Sequence, residues 1–328
     1  MEEGRTYNMS KQIKYVTNYK NNLFKYSLVW YNLTVARGTG MGDILLHNID
    51  EVRAEVTKWR KEGLTVGLVP TMGALHQGHL SLIKKAKETC DRVVVSDFVN
   101  PIQFGPSEDF DKYPRTLDED VRLCSEEGVD IVFAPTPNEM YGEGQRLSND
   151  TLTYVCPPFF YVNTLCGKSR TGHFDGVCTV VLKLFNIVQP DYAFFGQKDA
   201  QQVIIIKKMV KDLNVPVQII QCPIVRESSG LALSSRNKYL TEEGKKDALV
   251  LSKILKNIKD CYKKGITDVS ALKETAYNFL TDKHDMEYLE IVDRDNLENK
   301  TKADDNSIAL TAIRVENVRL IDNIYLGE

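Results

Sequence analysis

No uninterrupted apolar run in these 328 residues approaches the ~20 needed to cross a bilayer as a helix. Nor is there a surplus of charge. The 42 Lys and Arg against 45 Asp and Glu leave a net −3 and a pI near 6.0, which supplies no general attraction for nucleic acid or an anionic membrane. Cysteine occurs seven times, at 90, 124, 156, 166, 178, 222 and 261, but never at C-x-x-C spacing. An odd, scattered set argues against a disulfide framework or structural zinc and for a reducing compartment, with most thiols serving as small apolar groups. Internal repeats and low-complexity linkers are missing too. The last absence is local: residues 4–42 hold no acidic side chain, while Arg5, Lys11, Lys14, Lys20, Lys25 and Arg37 are basic. A mitochondrial presequence shares that bias, but this segment is poor in Ser and Thr and opens on Glu2 and Glu3. The composition predicts a poorly ordered extension over 1–42 of a cytoplasmic protein, with mitochondrial import as the alternative and Met41 as a second candidate start. Deleting 1–42 is expected to leave steady-state turnover intact, because every motif lies downstream. A large loss of rate in a folded truncation would contradict this.

What is present is ordinary in bulk, 42% hydrophobic and 27% charged, and suits one large or two modest globular domains. Its most informative stretch is residues 66–82, V-G-L-V-P-T-M-G-A-L-H-Q-G-H-L-S-L. An apolar strand over 66–69 is stopped by Pro70, a tight turn follows with Gly73 and Gly78, and a helix starts near His79. In a parallel sheet that place is the carboxyl edge, where ligands bind. Unpaired N–H groups and the positive dipole end at a helix start attract phosphate. His76 and His79 in that first turn, His79 at a position expected to be exposed, can donate to phosphate oxygens as charge builds during transfer. H-x-G-H alone would suit a plain turn with two solvated histidines; the longer phrase favours the functional reading.

Strand and helix patterns alternate from 43 onward. Helices are expected over 50–61, 80–89, 118–127, 176–188 and 201–213, and strands over 65–69, 92–99, 130–134, 192–195 and 217–221. That alternation predicts an α/β fold, a doubly wound parallel sheet over 43–225. A smaller α+β domain is expected over 226–328, with one helix over 241–263, another over 269–281 and strands at 286–292, 307–313 and 318–325.

Further motifs follow in order: Asn100-Pro101-Ile102-Gln103-Phe104-Gly105, Tyr113-Pro114-Arg115-Thr116, Gly172-His173-Phe174-Asp175-Gly176-Val177, Phe195-Gly196-Gln197-Lys198-Asp199, Val225-Arg226-Glu227 and Leu233-Ser234-Ser235-Arg236-Asn237. In order and spacing, from about 43 to the end, the chain resembles the pantoate–β-alanine ligase (pantothenate synthetase) family, within the H-I-G-H nucleotidyltransferases. The resemblance implies a Rossmann-like ATP- and pantoate-binding domain, a C-terminal lid domain, and a homodimer. It also implies ATP-dependent joining of pantoate and β-alanine through an acyl adenylate, releasing AMP and pyrophosphate. Catalytic roles fall on His79, with the acid role usual for the family, and on His76, Lys198 and Arg236. ATP contacts fall on Met72, Gly73, Ala74, Leu75, Gln77 and Gly78, on Gly196, Gln197 and Asp199, and on Val225, Leu233, Ser234 and Ser235. Leu233 stands where family members tend to have methionine. Gln103 and Gln202 would hold pantoate, and Asp120 would hold Mg²⁺ near the phosphates. Asp120 alone also reads as a helix-start charge complementing the dipole, and Arg115 as a residue that orders its loop.

Two patterns are decoys. Gly38-Thr39-Gly40-Met41-Gly42 lacks dinucleotide-loop spacing, and Gly167-Lys168-Ser169 lacks the first glycine of a phosphate loop, having Val162 there. Competing functions are a dinucleotide-forming nucleotidyltransferase, a tRNA synthetase fragment and a catalytically silent homologue. The first two would need extra basic residues or a basic face; the third would lack His79, Lys198 or Arg236.

Overall fold

The structure, a computed structural model, describes residues 44–106, 108–142 and 151–328; the expected extension and the decoy at 38–42 lie outside the described residues. The described residues form one compact unit. The strands are β1 (Leu45–Leu46), β2 (Val66–Thr71), β3 (Arg92–Asp97), β4 (Ile131–Phe133), β5 (Tyr192–Gly196), β6 (Gln218–Cys222), β7 (Asp285–Asp293), β8 (Ser307–Val315) and β9 (Val318–Tyr325). The helices are α1 (Ile49–Lys61), α2 (Gln77–Thr89), α3 (Leu117–Glu126), α4 (Pro137–Tyr141), α5 (Phe159–Val162), α6 (Leu165–Ser169), α7 (His173–Val188), α8 (Ala200–Asp212), α9 (Glu242–Ala248), α10 (Val250–Lys263) and α11 (Val269–Tyr277).

The first six strands make one sheet in the order β1-β4-β3-β2-β5-β6, with every pairing parallel. Val66, Leu68, Val69, Val93, Val94 and Val95 have no exposed surface, as continuous apolar runs require when helices cover both faces. From β2 the chain steps outward through β3 and β4, then returns to add β5 and β6 on the other side of β2. The reversal lies between β2 and β5, and ligands of doubly wound sheets bind in the crevice at the carboxyl ends of such a strand pair. β2 delivers the histidine turn there and β5 delivers Gly196-Gln197-Lys198-Asp199.

Residues 285–325 build the second sheet, an antiparallel β7-β8-β9 meander on which α10 and α11 pack. Ile254, Leu255, Ile258 and Leu272 meet Ile291, Ala309 and Ile313 in its core. Its other apolar residues, among them Val292, Ile308 and Leu310, join the cluster of Leu68, Leu184 and Ile205. The small sheet is therefore seated on the large core.

Three expectations need correction. Pro70 does not stop β2, which runs on to Thr71; its pairing with β5 ends at Leu68, so past that point the strand has one partner and tolerates a proline. α2 starts at Gln77, two residues early, because His76 caps it. The helix expected over 241–263 is two, α9 and α10, meeting at Leu249. All seven cysteines are free thiols, and five are buried. The decoy Gly167 has a packing reason instead: an added Cβ would lie 2.4 Å from the Val162 carbonyl oxygen.

Candidate active site

The turn after β2 is fixed by a carboxylate from a distant helix. Asp120, 1% exposed on α3, accepts from the N–H of Ala74 (2.9 Å) and of Leu75 (2.7 Å) and from the Thr116 hydroxyl (2.9 Å). The Gly73 N–H donates to Thr71 Oγ1 at 3.1 Å. Gly73 itself is irreplaceable on two counts: its φ is +73°, and a Cβ would sit 2.3 Å from Asp97 Oδ1. Both of its oxygens are engaged by protein donors, so in this structure Asp120 braces the turn.

Asp97, at the end of β3, is pushed up to about 7 by burial and then by the neighbouring Asp120 carboxylate. Its Oδ2 is buried without a hydrogen-bond partner, which a neutral acid tolerates better than an anion. A carboxyl whose folded pKa is raised contributes stability that is fully present below its unfolded value, 3.8, and is lost as pH climbs through about 7. Asp97→Asn, neutral at every pH, should therefore show a smaller drop in urea midpoint between pH 5 and pH 8 than the parent chain. An unchanged drop would mean that Asp97 is ionised throughout.

The two histidines bind each other's backbone. His76, the N-cap of α2, accepts the Gly78 N–H on Nδ1 (3.1 Å), and His79 Nδ1 accepts the His76 N–H (3.3 Å). The rings lie 4.1 Å apart. A ring nitrogen that accepts carries no proton, so in both neutral rings the hydrogen is on Nε2. Burial and then nearby cations, Lys198 first, hold His76 down to about 4; burial, then His76 and Lys198, hold His79 down to about 3. Both are thus neutral N–H donors at pH 7. His79 is half-buried instead of exposed. Gly78 is required because a Cβ there would lie 2.8 Å from the His76 ring.

Across the crevice, Lys198 sits in the 3₁₀ turn Gln197–Asp199 and pairs loosely with Asp199 at 3.8 Å. The third wall is the loop at 234–236. Ser234 Oγ accepts the Arg236 N–H at 3.3 Å, and Ser235 Oγ lies 3.3 Å from the Tyr113 hydroxyl. The Arg236 guanidinium is bidentate with Asp109 (3.1 and 2.9 Å) and stands 6.0 Å over the Tyr113 ring.

These groups line one cleft of about 1390 Å³, counting its open mouth: Met72, His76, Gly78, His79, Gln103, Gly196, Lys198, Asp199, Gln202, Val225 and Leu233 to Arg236. A second cavity of about 840 Å³ adjoins it and shares Lys198, Asp199, Gln202, Ser234 and Arg236. Gln103 Nε2 points at Met72 Sδ (3.1 Å) while its Oε1 accepts from Asn100 (3.0 Å). Gly176 on α7 allows this, since a Cβ would strike the Ile102 carbonyl at 2.4 Å and Gln103 Cα at 2.7 Å. Five expected contacts do not line the cleft. Gly73, Ala74 and Leu75 build the turn behind it, Gln77 is exposed, and Gln197 bonds to Asn323.

Several residues without an expected role belong here. Arg170 pairs with Glu108 (2.6 and 3.0 Å) and donates to His173 Nε2 at 2.8 Å, while His173 Nδ1 donates to the Gln103 carbonyl at 2.8 Å. Burial and then Arg170 hold His173 down to about 3, so it is neutral. Asp109, Tyr113 and Asn100 are visible in the sequence only as members of motifs or their neighbours. Arg115 does order its loop, donating to the Tyr113 and Phe110 carbonyls.

A family model described as pantoate-beta-alanine ligase matches residues 44–325. The chain belongs to the pantoate–β-alanine ligase family. This ligase is 52% identical over 287 residues to the pantothenate synthetase of Clostridium novyi (strain NT), covering 86% of this chain and 99% of that protein. It is 48% identical over 281 residues to that of Clostridium acetobutylicum, covering 85% and 98%. The crystal structure from Thermus thermophilus matches with a TM-score of 0.81 at 40% identity, over 87% of this chain and 99% of that one. The ligase from Francisella tularensis, complexed with beta-gamma ATP and beta-alanine, matches with a TM-score of 0.68 at 36% identity, over 87% and 98%. The expected Rossmann-like sheet with a small antiparallel C-terminal sheet is the fold of this ligase family.

Proposed function

We propose that this ligase activates (R)-pantoate with ATP as pantoyl adenylate and transfers the pantoyl group to β-alanine, in pantothenate and coenzyme A biosynthesis. A free carboxylate is a poor electrophile toward an amine. Its attack on the α-phosphate expels pyrophosphate. The amine then attacks the acyl carbon, loses a proton and expels AMP. Neither step needs a covalent enzyme nucleophile, so catalysis rests on positioning and on charge stabilisation.

The observation that carries this reading is the pair of neutral Nε2–H donors lining one cleft with Lys198 and the 234–236 loop. In our reading the histidines donate to the α-phosphate region without giving up a proton. Lys198 neutralises phosphate charge, and the hydroxyls and guanidinium at 234–236 hold the leaving pyrophosphate. Asp199 takes ribose hydroxyls. Gln103 and Gln202 hold pantoate, since neutral amides serve both its hydroxyls and its carboxylate. The family also implies Mg²⁺. Asp120 does not fit as its ligand, and among the described residues no group of three or more His, Cys, Asp or Glu could hold a metal. Any Mg²⁺ would come with the nucleotide.

The partners in this reading are the three small molecules and a second copy of the chain, in the cytoplasm. Among the described residues no helix is long and apolar enough to cross a membrane. A panel of carboxylic acids and amines assayed for AMP formation tests the substrate choice. AMP should form with pantoate and β-alanine and fall sharply with either replaced; equal turnover of acids lacking the hydroxyls would overturn the assignment.

A further inference from the structure

Two adjacent residues of β9 reach both phosphate-side walls of the cleft. Asn323, 2% exposed, donates its two side-chain N–H bonds to the Gln197 carbonyl (2.9 Å) and the Lys198 carbonyl (3.0 Å). Its Oδ1 accepts from Gln197 Nε2 at 3.3 Å. Asp322, 3% exposed, accepts both arms of Arg226 (2.7 and 2.9 Å) and the Asn323 N–H (2.8 Å). Arg226 also donates to the Gly230 carbonyl, and it bridges to Ala232 at the base of the short hairpin that leads into Ser234, Ser235 and Arg236. Leu233 N–H closes the same hairpin on the Val225 carbonyl at 3.0 Å.

We propose that Asp322-Asn323 is a joint that sets the spacing between Lys198 and the 234–236 loop, with Asn323 the positioning residue for Lys198. The inference rests on the adenylation reading above and adds to it how the C-terminal sheet takes part. The chemistry of the side chain supports it. Only an amide offers two donors and an acceptor in one plane. Aspartate in that place would set a carboxylate against two carbonyl oxygens, and alanine would remove the side-chain donor from both carbonyls. Neither Asp322 nor Asn323 acts on substrate itself; each holds a backbone segment from which a cationic side chain projects. Displacement of about 1 Å in such a segment can cost on the order of 10²-fold in rate.

The test is a double-mutant cycle on kcat/KM for pantoate-dependent exchange between pyrophosphate and ATP, using the full chain. Asn323→Ala alone is expected to lose about 10- to 100-fold, and far less, under about 3-fold, in a Lys198→Ala background, because the residue acts through Lys198. The same change combined with His79→Ala should be close to additive. If Asn323→Ala does not fold, Gln197→Ala serves instead: it frees the Asn323 oxygen without stranding a carbonyl, and its smaller loss should likewise vanish once Lys198 is gone. Additive effects of Asn323 or Gln197 with Lys198 overturn the joint, as does a Lys198→Ala enzyme of full activity. Absence of pantoate-dependent exchange in the parent chain would instead overturn the adenylation reading, which does not pass through Asn323, and full exchange in His79→Ala would remove only that histidine's donor role.

Discussion

His79→Ala is expected to lower the rate of pyrophosphate release by about 10²- to 10³-fold, the range for removing one donor aimed at developing charge. The loss should exceed what the fold suffers. His79 Nδ1 holds the His76 N–H, so alanine also opens the reciprocal cap of α2, an effect worth about 1 kcal/mol. His79→Asn separates the two, since its amide oxygen can accept the same N–H but cannot place a donor where Nε2 stands. Thermal stability should recover in that variant while the rate stays low; recovery of both would make His79 a cap and nothing more. The protonation state carries its own expectation. Both histidines have folded pKa values, about 4 and about 3, below the unfolded 6.5, so their contribution to stability is present above pH 6.5 and lost as pH falls through about 4. The pH–rate profile should show no limb from these residues near 6.5.

Arg236→Ala is expected to be as damaging, again about 10²-fold or more, but at the other end of the triphosphate. Its guanidinium is held by Asp109 and lies over Tyr113, so it is aimed before any nucleotide arrives. Preorganisation of this kind is what a fork of fixed donors supplies and a lysine does not. Arg236→Lys should therefore restore only a small part of the loss. Steady-state kcat/KM for ATP decides it: a value for Arg236→Ala within about 3-fold of the parent would remove the loop from the phosphate site.

The path from β2 into α2 is legible in the sequence because Val66 to Val69 form a buried run and the glycines mark a turn that no other residue can make. What the histidines do in it is not. A helix cap is ordinarily a short hydroxyl, carboxylate or amide, and nothing in H-x-G-H announces that each ring is tied to backbone in the same turn. Asp120 shows the limit from the opposite side. An acid in the first turn of a helix reads equally as a ligand or as a dipole partner. Its real donors are N–H groups 45 and 46 residues earlier, which only the packing of α3 beside α2 brings within reach. Pro70 misleads because the sequence cannot say on which side a strand has lost its neighbour. Arg170, Asp109 and Asn323 escape for the same reason as Asp120, each being defined by a partner more than 60 residues away.

Isotope exchange between pyrophosphate and ATP, with pantoate present and β-alanine absent, shows whether pantoate is activated as an adenylate before any amine is needed. Exchange should depend on pantoate, disappear in Arg236→Ala, and give way to AMP release when β-alanine is added. ADP and inorganic phosphate in place of AMP and pyrophosphate would contradict it, because the carboxylate would then be activated as an acyl phosphate.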